Sequence, residues 1–272
     1  MADDNQQGLT IDLDYVVATK FKGKKVPKSL VRFLKRFIHQ DWINETMARC
    51  REGEYFYEDA LKELDVKIEV EGMERVPKDG TRYVFASNHP LGGIDGLALT
   101  DFVQKNYGHV RLLVNDFLMF FKPVREQGVP VNKTGAQARN LSQMVDEVYH
   151  SEDQMMIFPA GLCSRRIDGK VQDFAWTKSF INKSVEYGRT VVPVHFIGEN
   201  PKRFYRADWL FRKFLKTKFN IGMLYLPDAM YHTQHKTFRV VLGDPIPPET
   251  FDSSRKPLEW AAWVREKVYQ LN

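Results

Sequence analysis

Long apolar runs are absent from this 272-residue sequence: no stretch approaches the roughly 18–20 residues that a membrane span needs. Cysteine is scarce as well. Two residues, Cys50 and Cys163, make no disulfide framework, and their separation suits no zinc motif; a reducing compartment is expected. The opening stretch MADDNQQGLTIDLDYV is acidic and polar and lacks the basic start and apolar centre of a secretory signal. No internal repeat, low-complexity tract or nucleic-acid motif occurs, so nucleic acid is not an expected partner. These absences point to a protein that is soluble or lies on a membrane surface.

What the sequence does contain is enough apolar material for a core, 43% of residues with 13% aromatic. The formal net charge of +5 is mild, and its distribution matters more than its total. Between Lys20 and Gln40 there are eight Lys or Arg and no acid. Leu30, Val31, Leu34, Phe37 and Ile38 recur there at helical spacing, which predicts an amphipathic helix over Pro27–Cys50. A shorter helix is expected at Glu58–Leu64.

After Asp65 short apolar strands alternate with helices. Strands are expected at Val66–Gly72, Arg82–Asn88, Val110–Asn115, Met155–Pro159, Thr190–Phe196 and Thr237–Gly243. Helices are expected at Asp95–Asn106, Thr134–His150, Thr177–Tyr187 and Pro201–Lys218, and over the closing PLEWAAWVREKVYQL. Such alternation predicts an α/β fold, a mixed and mainly parallel sheet flanked by helices, with an N-terminal amphipathic helical element. The expected division is 1–65, helical and close to the membrane, and 66–272, the α/β domain. Sites in such sheets gather beyond the carboxyl ends of the strands, and the stretch SNHPLGGIDG (Ser87–Gly96) lies at one of them. A neutral imidazole at His89 can accept a proton near neutral pH, and a carboxylate on its other nitrogen would fix the tautomer. Gly92 and Gly93 permit a tight turn that folds Asp95 back onto it. The plainer alternative is a strand-to-helix loop in which Asp95 only caps the helix.

NHPLGGID, followed by GVPVNK (Gly128–Lys133), FPAGLCSRR (Phe158–Arg166) and VVPV (Val191–Val194), resembles the glycerolipid and lysophospholipid acyltransferase superfamily in the order of its blocks. The downstream segments PKRFYRADWLFRKFLKTKFNIGMLYLPDAM and LGDPIPPETFD look like a bacterial hemolysin-like subgroup, some of whose members act in making amino-acid-containing lipids. The resemblance implies that His89 is the general base and Asp95 its orienting partner. It implies transfer of a fatty acyl group from acyl carrier protein or coenzyme A to a lysolipid hydroxyl, with no metal or resident cofactor. Lys133, Gly161, Ser164, Arg165 and Arg166 would then bind substrate. The match departs in two places. Five residues separate His89 from Asp95 where the family usually has four. Ala160, Leu162 and Cys163 stand where it has glutamate, threonine and arginine, and Lys133 stands for another arginine. Lysine offers one compact charge where arginine grips phosphate bidentately, so the expected acceptor is a lyso-amino-acid lipid. A lysophosphatidic acid acyltransferase and a non-catalytic lipid-binding protein of the same fold remain alternatives.

Two basic aromatic segments, Lys20–Trp42 and Lys202–Lys218, suit an anionic membrane surface, with Phe33, Phe37, Trp42, Trp209 and Phe211 as contacts; the same cations suit an acidic acyl carrier protein. The expected location is peripheral, on the cytoplasmic face of the inner membrane. His232 and His235, with no completing carboxylate or cysteine pattern, are expected to bind no metal. His195 reads as a core histidine and Cys163 as a small buried side chain.

Overall fold

Strands buried on both faces need helices on both sides, and the apolar strand at Tyr83–Ser87 is buried along its whole length. The structure, a computed structural model, describes residues 10–20, 26–115, 118–119, 122–130, 137–210 and 222–272. Helices α1 (Leu13–Lys20), α2 (Lys28–Phe37), α3 (Gln40–Ala48) and α4 (Phe56–Glu63) lead into β1 (Val66–Glu71), β2 (Tyr83–Ser87), α5 (Ile94–Tyr107), β3 (Val110–Val114), α6 (Lys122–Gln127) and β4 (Gly128–Pro130). There follow α7 (Gln137–His150), β5 (Gln154–Ile157), β6 (Arg165–Ile167), β7 (Lys170–Gln172), α8 (Ser179–Tyr187), β8 (Thr190–Ile197), α9 (Lys202–Leu210), α10 (Gly222–Tyr231), β9 (Lys236–Leu242) and α11 (Pro257–Gln270).

Among the described residues seven strands form one sheet in the order β1-β9-β8-β2-β5-β3-β4. From β8 to β4 every neighbouring pair is parallel, whereas β9 meets β8 antiparallel and carries β1 in its own direction. The sheet is thus mixed and mainly parallel. Alternate residues go to opposite layers, as the pleat requires. Phe85, Met156 and Val192 join Ala98, Leu99, Phe102 and Val103 of α5 on one side. Val84, Ala86, Met155, Ile157 and Val191 join Phe180 and Ile181 of α8 and Trp260, Val264 and Val268 of α11 on the other.

The single helix expected at Pro27–Cys50 is two. It breaks at His39, whose φ of 54° lies in the left-handed region. No glycine or proline marks the break, so hydrophobic spacing runs through it. Helix α9 ends its described length at Leu210, and residues 211–218 of the expected Pro201–Lys218 helix lie outside the described residues. Helix α10 and the small β6–β7 hairpin were not foreseen; α10 carries Pro227 inside it, which argues against a helix when judged locally.

Candidate active site

β2 delivers Asn88 and His89 beyond the carboxyl edge of the sheet, beside the ends of its parallel neighbours β5 and β8. Asn88 continues the pairing with its side chain: its amide donates to the Phe196 carbonyl at 2.9 Å, and its oxygen accepts the Phe196 N–H at 2.7 Å. From β5 comes Phe158, whose ring stacks on His89 with centroids 3.8 Å apart. Asn200, after β8, donates to the Pro90 carbonyl at 2.9 Å and so fixes the loop that follows the histidine.

The loop turns at Gly92, with φ 77°, and α5 begins at Ile94. The additional residue between histidine and aspartate is therefore taken up before the helix starts, and Asp95 sits in its first turn. Its Oδ2 accepts from His89 Nδ1 at 3.0 Å, Leu91 N–H at 2.9 Å and Gly92 N–H at 3.2 Å, while Oδ1 accepts from Gly96 N–H at 2.9 Å. The carboxylate is wholly buried. Burial alone would push its pKa up; the His89 ring and the Leu91 and Gly92 amides outweigh that and hold it below the usual carboxylate range. An ionised carboxylate is only an acceptor, so Nδ1 donates to it, and the neutral tautomer this selects has Nε2 as the acceptor nitrogen. The helix N-cap is Gly93, with no side-chain cap bond; Asp95 lies inside the first turn and bonds the His89 ring and the loop amides of Leu91 and Gly92.

A second buried carboxylate, Asp173, was missed. Its Oδ1 accepts from the His89 backbone N–H at 3.2 Å and the Ser164 hydroxyl at 2.5 Å, and Oδ2 accepts from Trp176 Nε1 at 2.9 Å. The phenol oxygen of Tyr269 on α11 accepts the Asp173 backbone N–H at 2.8 Å; burial and the nearby Asp173 charge push the Tyr269 phenol up to about 12. Its signal lay in the run Val171–Trp176, where an acid stands between apolar residues without a motif to mark it.

The expected substrate-binding residues separate. Ser164 is buried, gives its hydroxyl to Asp173 and its N–H to the His89 carbonyl at 2.7 Å, and so supports the histidine's main chain. Arg165, 2% exposed, bonds the Asp208 carboxylate through Nε at 2.7 Å and the Cys163 carbonyl at 2.6 Å. Both side chains bond inside the protein; a guanidinium buried at this depth needs its partner. Gly161 lies exposed in a turn with φ 69°, and Arg166 is exposed on β6. Lys133 and Phe211 lie outside the described residues. Burial pushes the Cys163 thiol up to about 11, so it is protonated and inert at neutral pH. His195 bonds the Leu271 carbonyl through Nδ1 at 2.6 Å, and burial lowers its pKa, as suits a core histidine. His232 and His235 face different partners, Asp228 and Asp65.

Of the expected membrane contacts, Phe33 is 61% and Trp209 51% exposed. Phe37 is half-buried against Tyr225 of α10, with ring centroids 4.8 Å apart, and Trp42 packs on Tyr231 at 5.1 Å. No helix among the described residues is long and apolar enough to cross a membrane.

A histidine held by a buried aspartate at the carboxyl edge of the strands lies where open α/β sheets place their sites. Residues 16–272 match the family described as acyltransferase, and the chain belongs to that family. A protein of Bacteroides thetaiotaomicron named lyso-glycine lipid O-acyltransferase is 47% identical, over 96% of this chain and 97% of its own. A protein of the same name from Phocaeicola vulgatus is 43% identical, over 96% and 95%. The fold is similar to that of the crystal structure of the 1-acyl-sn-glycerophosphate (LPA) acyltransferase PlsC of Thermotoga maritima, with a TM-score of 0.51 and 18% identity over 94% of this chain and 87% of that one.

Proposed function

We propose that this enzyme moves a fatty acyl group from an acyl thioester, on acyl carrier protein or coenzyme A, to the free hydroxyl of a lyso-glycine lipid, with His89 as general base. The observation that carries the chemistry is the Asp95 carboxylate at 3.0 Å from Nδ1 of His89, which leaves Nε2 to receive a proton. As the acceptor hydroxyl attacks the thioester carbonyl, Nε2 takes its proton. The new C–O bond forms, the C–S bond then breaks, and the departing thiolate takes the proton from the imidazolium. General-base assistance of this kind is worth about 10²–10⁴ in rate; the Asp95 negative charge stabilises the imidazolium while it exists.

The acceptor follows from two independent supports. The relatives at 43–47% identity carry that acceptor in their names. The block FPAGLCSRR also offers little grip for a phosphate, because Cys163 is buried and protonated and the Arg165 charge is engaged by Asp208. Arg166 is the exposed cation that remains in that block. The enzyme would work from the cytoplasmic face of the inner membrane, bound peripherally.

Purified protein, given an acyl thioester and lyso-glycine lipid, is expected to form the diacylated product by mass spectrometry, and His89→Ala to lose about 10²–10⁴ of the rate with an unchanged circular dichroism spectrum. Faster acylation of lysophosphatidic acid than of lyso-glycine lipid would overturn the acceptor. Full activity in the His89→Ala protein would overturn the base.

A further inference from the structure

The break between α2 and α3 places a histidine where helical geometry alone would not. His39 sits in the left-handed region at φ 54°, and its Nε2 lies 3.0 Å from Oδ1 of Asp228 on α10. Just past the end of α10, four residues beyond Asp228, His232 brings its Nε2 to 3.5 Å from the same oxygen. The two imidazole nitrogens and the carboxylate oxygen all lie within 4.8 Å of one another. Ligand atoms at about 2.0–2.1 Å from a tetrahedral zinc ion stand about 3.3–3.4 Å apart; the distances from the Asp228 oxygen, 3.0 and 3.5 Å, fall on either side of that edge.

The surroundings favour a fixed ligand set. Tyr231 stacks on the His39 ring, centroids 4.1 Å apart and planes 8° from parallel, and sets its orientation. Arg203 of α9 holds the other carboxylate oxygen, Nε to Oδ2 at 3.2 Å. Asp228 is thereby turned so that Oδ1 faces both histidines, the part an outer hydrogen-bond partner plays around metal ligands. Two imidazoles and one carboxylate suit zinc better than the hard, oxygen-seeking calcium or magnesium. The cluster is half-open to solvent at His232, so water can complete the fourth position.

We propose that His39, Asp228 and His232 bind one zinc ion, which clamps the α2–α3 junction to α10. The sequence concealed the site because its first ligand lies in a different helical segment from the other two. The site is distinct from the His89–Asp95 pair. Its bearing on that pair is mechanical: Leu226 and Met230 of α10 pack against Gly92 and Gly93 of the catalytic loop.

The test titrates chelator-treated full-length protein with zinc chloride by calorimetry, and compares thermal unfolding in zinc with that in chelator. One zinc per chain and a higher Tm in zinc are expected. His39→Gln and Asp228→Asn should each abolish stoichiometric binding, and Arg203→Ala should weaken it about 10–100-fold. His235→Gln, whose ring pairs with Asp65 outside the cluster, should bind zinc as the parent does. Absence of stoichiometric uptake by the parent protein overturns the proposal, whatever the variants do. So does uptake that persists in folded His39→Gln protein, which would mark adventitious surface chelation.

Discussion

Asp95 has no slack in its bonding: both oxygens are occupied by donors, and three of those donors belong to the loop itself. Asn at this position keeps the shape but turns one oxygen into an amino group facing donors. Asp95→Asn should lower kcat by about 10²–10⁴, read with acyl thioester and lysolipid, and cost about 3 kcal/mol of stability, read by urea unfolding at pH 7. The pH dependence has a definite sign. The folded-state pKa is the lowered one, so the stabilising contribution is complete above the unfolded aspartate value of about 3.9 and is lost as pH falls through the folded value. The stability gap between parent and variant should therefore narrow below about pH 4; a gap constant from pH 7 to pH 3 would show that the charge is not what stabilises the loop. Asp173 acts on the same histidine through its main chain. Asp173→Asn sets an amino group against the Ser164, Trp176 or His89 donor. It should reduce kcat about tenfold or more with little change in the lysolipid KM, whereas a change confined to KM would assign Asp173 to acceptor binding. The histidine and its aspartate could be found in the sequence because six positions and two glycines join them. Asp173 could not, because it reaches His89 only after β5, the β6–β7 hairpin and the turn before α8 have folded.

At the scale of elements the informative contact is between α10 and the catalytic loop. A Cβ at Gly92 would meet Leu226 Cδ2 at 2.6 Å, and one at Gly93 would meet the Met230 sulfur. The two positions differ in backbone, since Gly92 lies at φ 77° and Gly93 at φ −140°. Gly93→Ala is then an overpacking problem against a flexible thioether, and Met230→Ala should restore much of the lost stability. Gly92→Ala adds about 1–2 kcal/mol of backbone strain, which Leu226→Ala cannot relieve. Thermal unfolding of the four single variants and two pairs checks this; equal rescue of both pairs would mean that the strain at Gly92 is negligible. The parallel strands were legible because each is a short apolar run that keeps both pleat faces buried, as Tyr83–Ser87 does. The helix break at His39 and the existence of α10 were not. The first lacks a glycine or proline, and the second is carried by tertiary packing on α2, α9 and the glycine turn rather than by its own propensity.

Across the whole molecule, α10 also links the two segments that were expected to meet lipid. Phe37 of α2 and Arg203 of α9 both contact it, at Tyr225 and Asp228. Large apolar residues are among the exposed ones on these flanking helices: Leu30 and Phe33 on α2 are 45% and 61% exposed, and Trp209 and Leu210 on α9 are 51% and 49% exposed. Arg32 and Arg36, and Lys202 and Arg206, are exposed on the same two helices. Large apolar side chains beside cations, on helices that flank the cover of the catalytic loop, are the pattern that favours contact with an anionic bilayer surface, which vesicle binding tests. Substituting Phe33→Ser and Trp209→Ser removes apolar contact but no charge, so each should lower partition onto anionic vesicles about tenfold, and the pair more. Raising salt should weaken binding by the parent and the double variant alike, because the cations are unchanged. Activity toward lysolipid in the bilayer should fall with partition, while activity toward the same lysolipid dispersed in detergent stays near that of the parent. If the double variant binds vesicles as the parent does, these helices face water and the acceptor reaches His89 by another surface. If instead both activities fall together, Phe33 and Trp209 support the fold of the site rather than its contact with the membrane.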